Sequence, residues 1–212
     1  MTLKPELFFN LLTFEHRALY GKDEPVWAAL AHLNAYLGTM LAQSRPPDPY
    51  RTGPHTLRLD PTVRIENPWR VLIAPTAIIR PYTVIEGDAI IDAGAIVGPH
   101  AYLRGGVIIG RNARVGHCSE IKHSVLFPGA KAPHRNSILD SLLGHGVNVG
   151  GHIVTPNLRS DGRTVPVRVH GVSGQLDSGL RKLGIIAGDG CFFGCAVKFN
   201  PGMTFPPKTR LT

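Results

Sequence analysis

A repeat of six residues constrains this chain more than any other feature of its sequence. From residue 73 onward, every sixth residue is large and apolar at eleven of twelve consecutive positions, where composition alone would give about five. A period of six matches neither the 3.6-residue period of an α-helix nor the two-residue alternation of a strand. The positions are Ile73, Ile79, Ile85, Ile91, Val97, Leu103, Ile109, Val115, Ile121, Phe127, Pro133 and Leu139.

Three hexads, each a short strand followed by a corner, form one coil of a triangular prism. Each apolar residue then points inward and stacks on the residue 18 positions later, at about the 4.8 Å spacing of neighbouring strands. Slim side chains two positions before each anchor, and glycines such as Gly98 and Gly110 after it, suit the interior and the corners. The sequence therefore predicts an all-β fold, a single-stranded parallel β-helix of hexapeptide repeats.

The first part of the chain follows a different pattern. Residues 1–45 carry apolar side chains at helical spacing between Val26 and Met40, and Asp23 can cap the helix, so we predict a helical appendage. Capping an open end of the β-helix is the cheapest use of that helix, because strand edges there would otherwise stay unpaired. Extension of a trimer and recruitment of a partner are the alternatives.

The remaining boundaries follow from proline content and from breaks in the repeat. Residues 46–61 are proline-rich and predict a lead-in, and residues 62–212 form the predicted β-helix domain. Inside that domain the repeat shifts by four residues at Leu143, and an irregular loop interrupts it at about 156–183.

Charge and composition narrow the class of partner. The formal net charge of +8 favours anionic partners. Because the basic residues are dispersed and no aromatic ladder accompanies them, we expect a phosphorylated small molecule and no nucleic acid. No apolar run approaches a membrane span and the first residues lack a signal-peptide cleavage site, so we expect a cytoplasmic protein without membrane contact. Three cysteines are too few for a disulfide framework.

Two cations are spaced by one predicted coil. Arg104 and Lys122 lie 18 residues apart, each directly after an apolar anchor, and are predicted to stack on one edge of the prism. Stacked cations repel unless an anion lies beside them, and a phosphate fits that role. The alternative is that Glu120 or another acid neutralises them in a solvated ladder.

Histidines suggest two further kinds of site. His134 lies 12 residues beyond Lys122 at a predicted corner, where it is either merely exposed or a general base at neutral pH. A metal site of the γ-carbonic-anhydrase kind is an alternative, but by simple count only His134 and His152 lie one coil apart, so no metal is expected. The histidines that raise this alternative are His117, His123, His134, His145 and His152.

At these residues the chain resembles a known family. The run "YLRGGVIIGRNARVGHCSEIKHSVLFPGAKAPHRNSILDSLLGHGVNVGGHIVTPN", Tyr102 to Asn157, is similar to the acetyltransferase half of the bacterial bifunctional enzymes that make UDP-N-acetylglucosamine, which are hexapeptide-repeat acyltransferases. A weaker echo lies in "GIIAGDGCFFGCAVKFNPGMTF". The resemblance implies a left-handed β-helix, commonly a homotrimer, with active sites in the clefts between neighbouring subunits.

The resemblance also implies roles for individual residues. Arg104 and Lys122 would hold the sugar phosphate, and His134 would take a proton from the substrate amine before it attacks the thioester of acetyl-CoA. Asn148 would contact the amino sugar, and Asn157 would lie near the sugar and the acyl group. The implied function is N-acetylation of a phosphorylated or nucleotide-linked amino sugar, and a non-catalytic sugar-phosphate-binding trimeric module is the alternative.

The chain departs from the family pattern at several positions. Ser137 stands where the family has a tyrosine, Leu139-Asp140 replaces a Gly-Asp pair, and "NLRSDG" from Asn157 replaces Asn-Tyr-Asp-Gly. The family binds coenzyme A with coils beyond those matching Phe193 to Phe205, so truncation of these coils is expected here and no coenzyme A residues are assigned. Residues 1–61 also lack the glycine-rich loop of the family's nucleotidyltransferase half.

Overall fold

The computed structural model describes residues 3–44 and 59–212, so most of the predicted proline-rich lead-in lies outside the described residues. Between residues 64 and 149 the strands join three sheets in strict rotation, and most strands pair in parallel with the strand one coil later. The molecule is the parallel β-helix that the repeat predicts, with the left hand that the family resemblance implies. No helix of the described part of the chain is both long and apolar enough to cross a membrane.

Each of the three sheets is one face of the prism. Face A consists of β1 (Arg64–Ile65), β4 (Val84–Ile85), β7 (Tyr102–Leu103), β10 (Glu120–Lys122) and β13 (Ser137–Leu139). Face C consists of β3 (Ile78–Ile79), β6 (Ile96–Val97), β9 (Arg114–His117), β12 (Lys131–His134), β15 (Asn148–Val149), β19 (Phe192–Phe193) and β21 (Arg210–Leu211).

Face B is the longest sheet and ends in a hairpin. It consists of β2 (Val71–Ile73), β5 (Ala89–Ile91), β8 (Val107–Ile109), β11 (Ser124–Leu126), β14 (Leu142–Leu143), β18 (Ile186–Ala187), β20 (Met203–Phe205), β16 (Pro166–Val169) and β17 (Leu176–Asp177). The last two strands are antiparallel and belong to the segment predicted as irregular. That segment therefore adds strands to face B through the pairing of β16 with β20.

The inward-pointing residues leave the predicted register after Ile121. Strand pairing is offset by 18 residues between Tyr102 and Glu120, but by 17 between Val107 and Ser124 and between Glu120 and Ser137. The predicted anchors Phe127, Pro133 and Leu139 are therefore wrong by one residue, and the predicted four-residue shift at Leu143 is a five-residue step from Ile138. The buried inward residues at these positions are Leu126, Ala132 and Ile138.

The cause of the shift is a pair of shortened corners. Each corner loses one residue between face A and face B, once after Lys122 and once after Leu139. His123 and Asp140 close these corners with φ of 44° each, in the left-handed region that non-glycine residues rarely adopt. A rule of strict hexads cannot detect the first loss, because Phe127 and Leu139 are also apolar, and it registers the second only as the shift at Leu143.

The N-terminal segment packs on the outer side of face B. Helix α1 (Ala28–Ser44) follows three 3-10 turns, Pro5–Leu7, Leu11–Thr13 and Arg17–Leu19. Its Leu33 and Leu37 are buried in one apolar cluster with Ile108 and Val125, whose side chains point out of the prism. The expected capping of an open end is therefore wrong: the helix covers a face, because the apolar outer side of that face must be removed from water.

A buried histidine fastens this segment to the prism. His16 is almost fully buried, and its Nδ1 and Nε2 lie 2.8 Å from the Tyr36 hydroxyl on α1 and 3.0 Å from the Asp92 carboxylate on the prism. Burial, together with the negative charge of Asp92, raises the pKa of Tyr36 to about 12. These hydrogen bonds join the N-terminal segment to the prism in addition to the apolar contact.

Candidate active site

The corners between face A and face B, called here the A–B edge, carry the two predicted phosphate ligands. The backbone nitrogen of Arg104 donates to the Ile121 carbonyl at 2.9 Å, so Arg104 and Lys122 lie on this edge one coil apart. Each cation has an acidic partner: Arg104 contacts Glu120 at 2.7 Å and Lys122 contacts Asp140 at 3.1 Å. The two residues therefore stack on one edge as predicted, and each side chain forms an ion pair with a carboxylate.

Asp140 contacts three side chains at this edge. Its side chain is 5% exposed, and its carboxylate also accepts hydrogen bonds from His123 Nδ1 at 3.0 Å and from Asn157 Nδ2. Burial alone raises the pKa of this carboxyl, but the hydrogen bonds from His123 and Asn157 and the charge of Lys122 outweigh burial and hold the pKa below its ordinary value. Asp140 is therefore ionised at neutral pH.

Beside this cluster lies a depression of about 620 Å³ between α1 and the A–B edge. Glycines widen it: a Cβ added at Gly106 would lie 2.9 Å from His123 Cδ2 and 3.1 Å from Asn34 Oδ1. The depression is lined by Asn34, Arg70, Asp88, Arg104, Gly105, Gly106, Lys122, His123 and Asp140. It combines cations, carboxylates and an amide, which suits a polar ligand that bears an anionic group.

His134 lies at the opposite border of face A. It ends β12, directly before the corner that leads into β13, whereas Lys122 ends β10 on the far side of the same face. The His134 side chain is exposed, and its ring centroid lies 5.6 Å from that of His117, its register partner. The outer side of face A, with Glu120 and Ser137 half-buried, separates the two borders.

The two predicted asparagines lie in different places. Asn157 joins the A–B edge through its hydrogen bond to Asp140. Asn148 lies on face C in register with Lys131 and Phe192, away from that cluster. The chain thus brings Arg104, Lys122 and Asn157 together, and leaves His134 and Asn148 outside the group.

Sequence reasoning missed the importance of Asp140 and His123. Asp140 lies 18 residues after Lys122 and 17 after His123, so a search for acids one coil away from each cation finds it. The contribution of Asn34 could not be found in this way, because the packing of α1 against face B brings it to the depression. Tertiary contacts of that kind leave no periodic signal.

The histidines do not assemble as a metal site. Among the residues that the structure describes, no group of three or more His, Cys, Asp or Glu side chains is arranged to hold a metal ion. The count that related only His134 and His152 is corrected by the observed register, since His117 and His134 are also neighbours. His152 Nε2 faces the Arg135 guanidinium at 3.1 Å.

Comparison with known proteins identifies relatives of this chain. No protein-family model matches it. The bifunctional protein GlmU of Methanococcus maripaludis strain S2 is 41% identical over 146 residues, which cover 69% of this chain and 34% of the relative. The bifunctional sugar-1-phosphate nucleotidylyltransferase/acetyltransferase of Sulfurisphaera tokodaii is 35% identical over 142 residues, 67% of this chain and 35% of the relative.

The chain thus spans about a third of the length of these relatives. Among solved structures, the acetyltransferase domain of PglB from Neisseria gonorrhoeae aligns at 20% identity over 63% of this chain and 53% of that one, and its TM-score of 0.41 is too low to add to the comparison. The sequence matches confirm the predicted resemblance: the chain is a homologue of the bifunctional sugar-1-phosphate nucleotidylyltransferase/acetyltransferases of the GlmU type.

Proposed function

We propose that this chain transfers an acetyl group from acetyl-CoA to the amine of a phosphorylated or nucleotide-linked amino sugar. The observation that carries the proposal is the arrangement around face A, with Arg104 and Lys122 at one border and His134 at the other. The relative from Sulfurisphaera tokodaii, a bifunctional sugar-1-phosphate nucleotidylyltransferase/acetyltransferase, supports the same class of reaction.

In this proposal the A–B edge holds the phosphate. A guanidinium and an ammonium one strand spacing apart can both donate charge-assisted hydrogen bonds to one phosphate. Glu120 and Asp140 now accept those bonds, so a phosphate must share the two cations with the two carboxylates. Asn157, held by Asp140, supports the sugar from the same side.

His134 is the proposed general base. An ammonium has no lone pair with which to attack a carbonyl, so the imidazole removes a proton before the amine attacks the thioester carbon. A nitrogen–carbon bond forms, the carbon–sulfur bond breaks, and coenzyme A leaves as a thiolate, which takes up the second proton released from nitrogen. Exposure of His134 leaves its ring accessible to an acceptor that lies along face A.

A homotrimer would complete the proposed site. The N-terminal segment covers face B, which leaves the outer sides of faces A and C for contact with neighbouring subunits. Asn148, on face C, would then contact the amino sugar from an adjoining subunit. The proposal also includes a cytoplasmic location, where acetyl-CoA and sugar phosphates are available, and it assigns neither coenzyme A ligands nor a metal.

Acetyl-CoA turnover with a panel of amino sugars and amino-sugar phosphates tests the proposal. We expect turnover by the native protein and a loss of about 100-fold or more in kcat with His134→Ala. His117→Ala, the neighbouring exposed histidine, is the matched control and should retain the native kcat. Equal rates for native protein and His134→Ala would remove His134 from the mechanism.

Calorimetry separates catalysis from simple binding. Binding of glucosamine 1-phosphate together with acetyl-CoA is expected from an acetyltransferase. Binding of the sugar phosphate without detectable binding of acetyl-CoA would favour a non-catalytic sugar-phosphate module instead.

A further inference from the structure

His123 is the one histidine that the described residues place in the depression with Arg104 and Lys122. Its side chain is 24% exposed, and the shortened corner holds its backbone in the left-handed region. The proposed transfer reaction gives this histidine no role.

Asp140 fixes the tautomer of His123. Because the Asp140 carboxylate is ionised, it can only accept, so His123 Nδ1 carries the proton of their 3.0 Å hydrogen bond. In the neutral ring the lone pair then lies on Nε2. No hydrogen bond to Nε2 is found among the described residues, and the neighbouring Cδ2 borders the opening at Gly106. The ring is thus oriented by one nitrogen and free to take a proton on the other.

Protonation of His123 matches the charge of the depression to that of a dianion. Among the described residues, the depression is lined by three cations, two carboxylates and the uncharged Asn34 of α1. A bound dianion therefore meets one net positive charge when His123 is neutral and two when it is protonated. The cations are Arg70, Arg104 and Lys122, and the carboxylates are Asp88 and Asp140; Glu120, the partner of Arg104, lies outside the lining.

We infer that His123 is a third ligand of the phosphate, and that binding of the phosphate dianion is coupled to uptake of one proton by its imidazole. The protonated ring donates from Nε2 to a phosphate oxygen, while Nδ1–H continues to donate to Asp140. The depression therefore selects dianionic phosphate esters, and the selection is stronger at lower pH because histidine changes its charge between pH 5 and 8. This inference rests on the proposed function for the identity of the ligand as a sugar phosphate.

Binding of inorganic sulfate tests the coupling without any catalytic step. Sulfate is a tetrahedral dianion that does not titrate between pH 6 and 8, so a change in its affinity reports the protein alone. Calorimetry at constant ionic strength is expected to show binding about tenfold weaker at pH 8 than at pH 6. Paired buffers of different ionisation enthalpy should show proton uptake on binding at pH 7.

Two variants isolate the histidine. His123→Asn suits the left-handed backbone, since asparagine tolerates positive φ, and His123→Gln is the second substitution should the first fail to fold. Both should abolish proton uptake and flatten the pH dependence, whereas His117→Gln should keep both. A loss of catalytic activity cannot change these binding results, because the experiment contains no acetyl-CoA and measures sulfate binding alone.

The outcomes distinguish the two proposals. A native pH dependence that persists in His123→Asn, or that disappears in His117→Gln, overturns the role of His123. Absence of sulfate and glucosamine 1-phosphate binding overturns the anion site itself. Sulfate binding of the expected kind without acetyl-CoA turnover keeps the inference about His123 and rejects the proposed transferase.

Discussion

Lys122 Nζ and Asp140 Oδ2 lie 3.1 Å apart across one coil of the prism, at the edge where face A meets face B. Lys122 ends β10 in register with Leu139, and Asp140 follows Leu139 directly at the next corner of this edge. The same carboxylate also orients His123 and Asn157. Asp140 therefore links the local backbone geometry of two corners to the electrostatics of the candidate phosphate site.

Removal of the Asp140 charge should destabilise the fold in a pH-dependent way. We expect Asp140→Asn to lower the free energy of unfolding by about 1–3 kcal/mol at pH 7, since partly buried donors lose an ionised acceptor. Because the folded protein lowers the pKa of Asp140, its stabilisation is present above the ordinary value of 3.8 and is lost as the pH falls through the lower folded value.

Urea denaturation of both proteins between pH 2 and 7 measures this effect. The difference between native protein and Asp140→Asn should shrink below about pH 4. Asp161→Asn is the matched control, because its partner Arg159 lies on the surface and the change in stability should be far smaller. A constant difference at all pH values would contradict the role of the Asp140 charge.

Phe127 should be essential for attachment of the N-terminal segment. Its ring stacks on Phe14 at 3.8 Å and on Phe9 at 4.5 Å between ring centroids, outside the prism. We expect Phe127→Ala to cost about 3–5 kcal/mol and to expose the first turns to trypsin. Leu12→Ala, at a residue 86% exposed, should leave both properties unchanged. Native protease resistance in Phe127→Ala would contradict this packing.

Alkaline pH should weaken the same attachment. The folded protein raises the pKa of Tyr36 to about 12, so its stabilising effect is complete below pH 10 and is lost as the pH rises toward 12. Ultraviolet titration of tyrosinate absorbance in the native protein, with Tyr36→Phe as the reference, measures the transition. Titration of the Tyr36 phenol near pH 10 in the folded protein would contradict the burial of its hydroxyl beside His16 and Asp92.

The sequence predicts the architecture because inward residues of a β-helix obey a strict period. Eleven apolar residues at hexad spacing leave few other folds, and Arg104 and Lys122 obey the same 18-residue step. The one-residue loss after Lys122 is not visible in the repeat, since Phe127 and Leu139 are also apolar, whereas the loss after Leu139 appears in the sequence as the shift at Leu143. The covering of face B is also not predicted by the repeat. Ile108 and Val125 point out of the prism, and their burial is explained by the N-terminal segment that packs on them.

The candidate site is predictable only in part. The spacing from Lys122 to His134 places them on opposite borders of one face, and that much follows from counting. The pairing of His123 with Asp140 depends on the 17-residue offset, and Asn34 enters through packing of the helix. Contacts between elements therefore decide which polar side chains meet.

Loss of a cation at the A–B edge should act on substrate affinity. We expect Lys122→Ala to raise the KM for an amino-sugar phosphate roughly 10- to 100-fold, because a hydrogen bond to a charged group contributes about 1.5–3 kcal/mol. Steady-state kinetics of the purified variant measures the change. Lys22→Ala, at an exposed lysine in the N-terminal segment, should leave KM unaltered. A pure kcat effect in Lys122→Ala would contradict a phosphate-binding role.

Acetyl-CoA-dependent acetylation of glucosamine 1-phosphate, measured beside acetylation of glucosamine, shows whether Arg104 and Lys122 bind the phosphate of the acceptor. We expect turnover of both amines, with kcat/KM at least about tenfold higher for the phosphorylated acceptor and with that preference lost in Lys122→Ala. Equal kcat/KM for the two acceptors, or a preference that survives in Lys122→Ala, would contradict a phosphate site at Arg104 and Lys122.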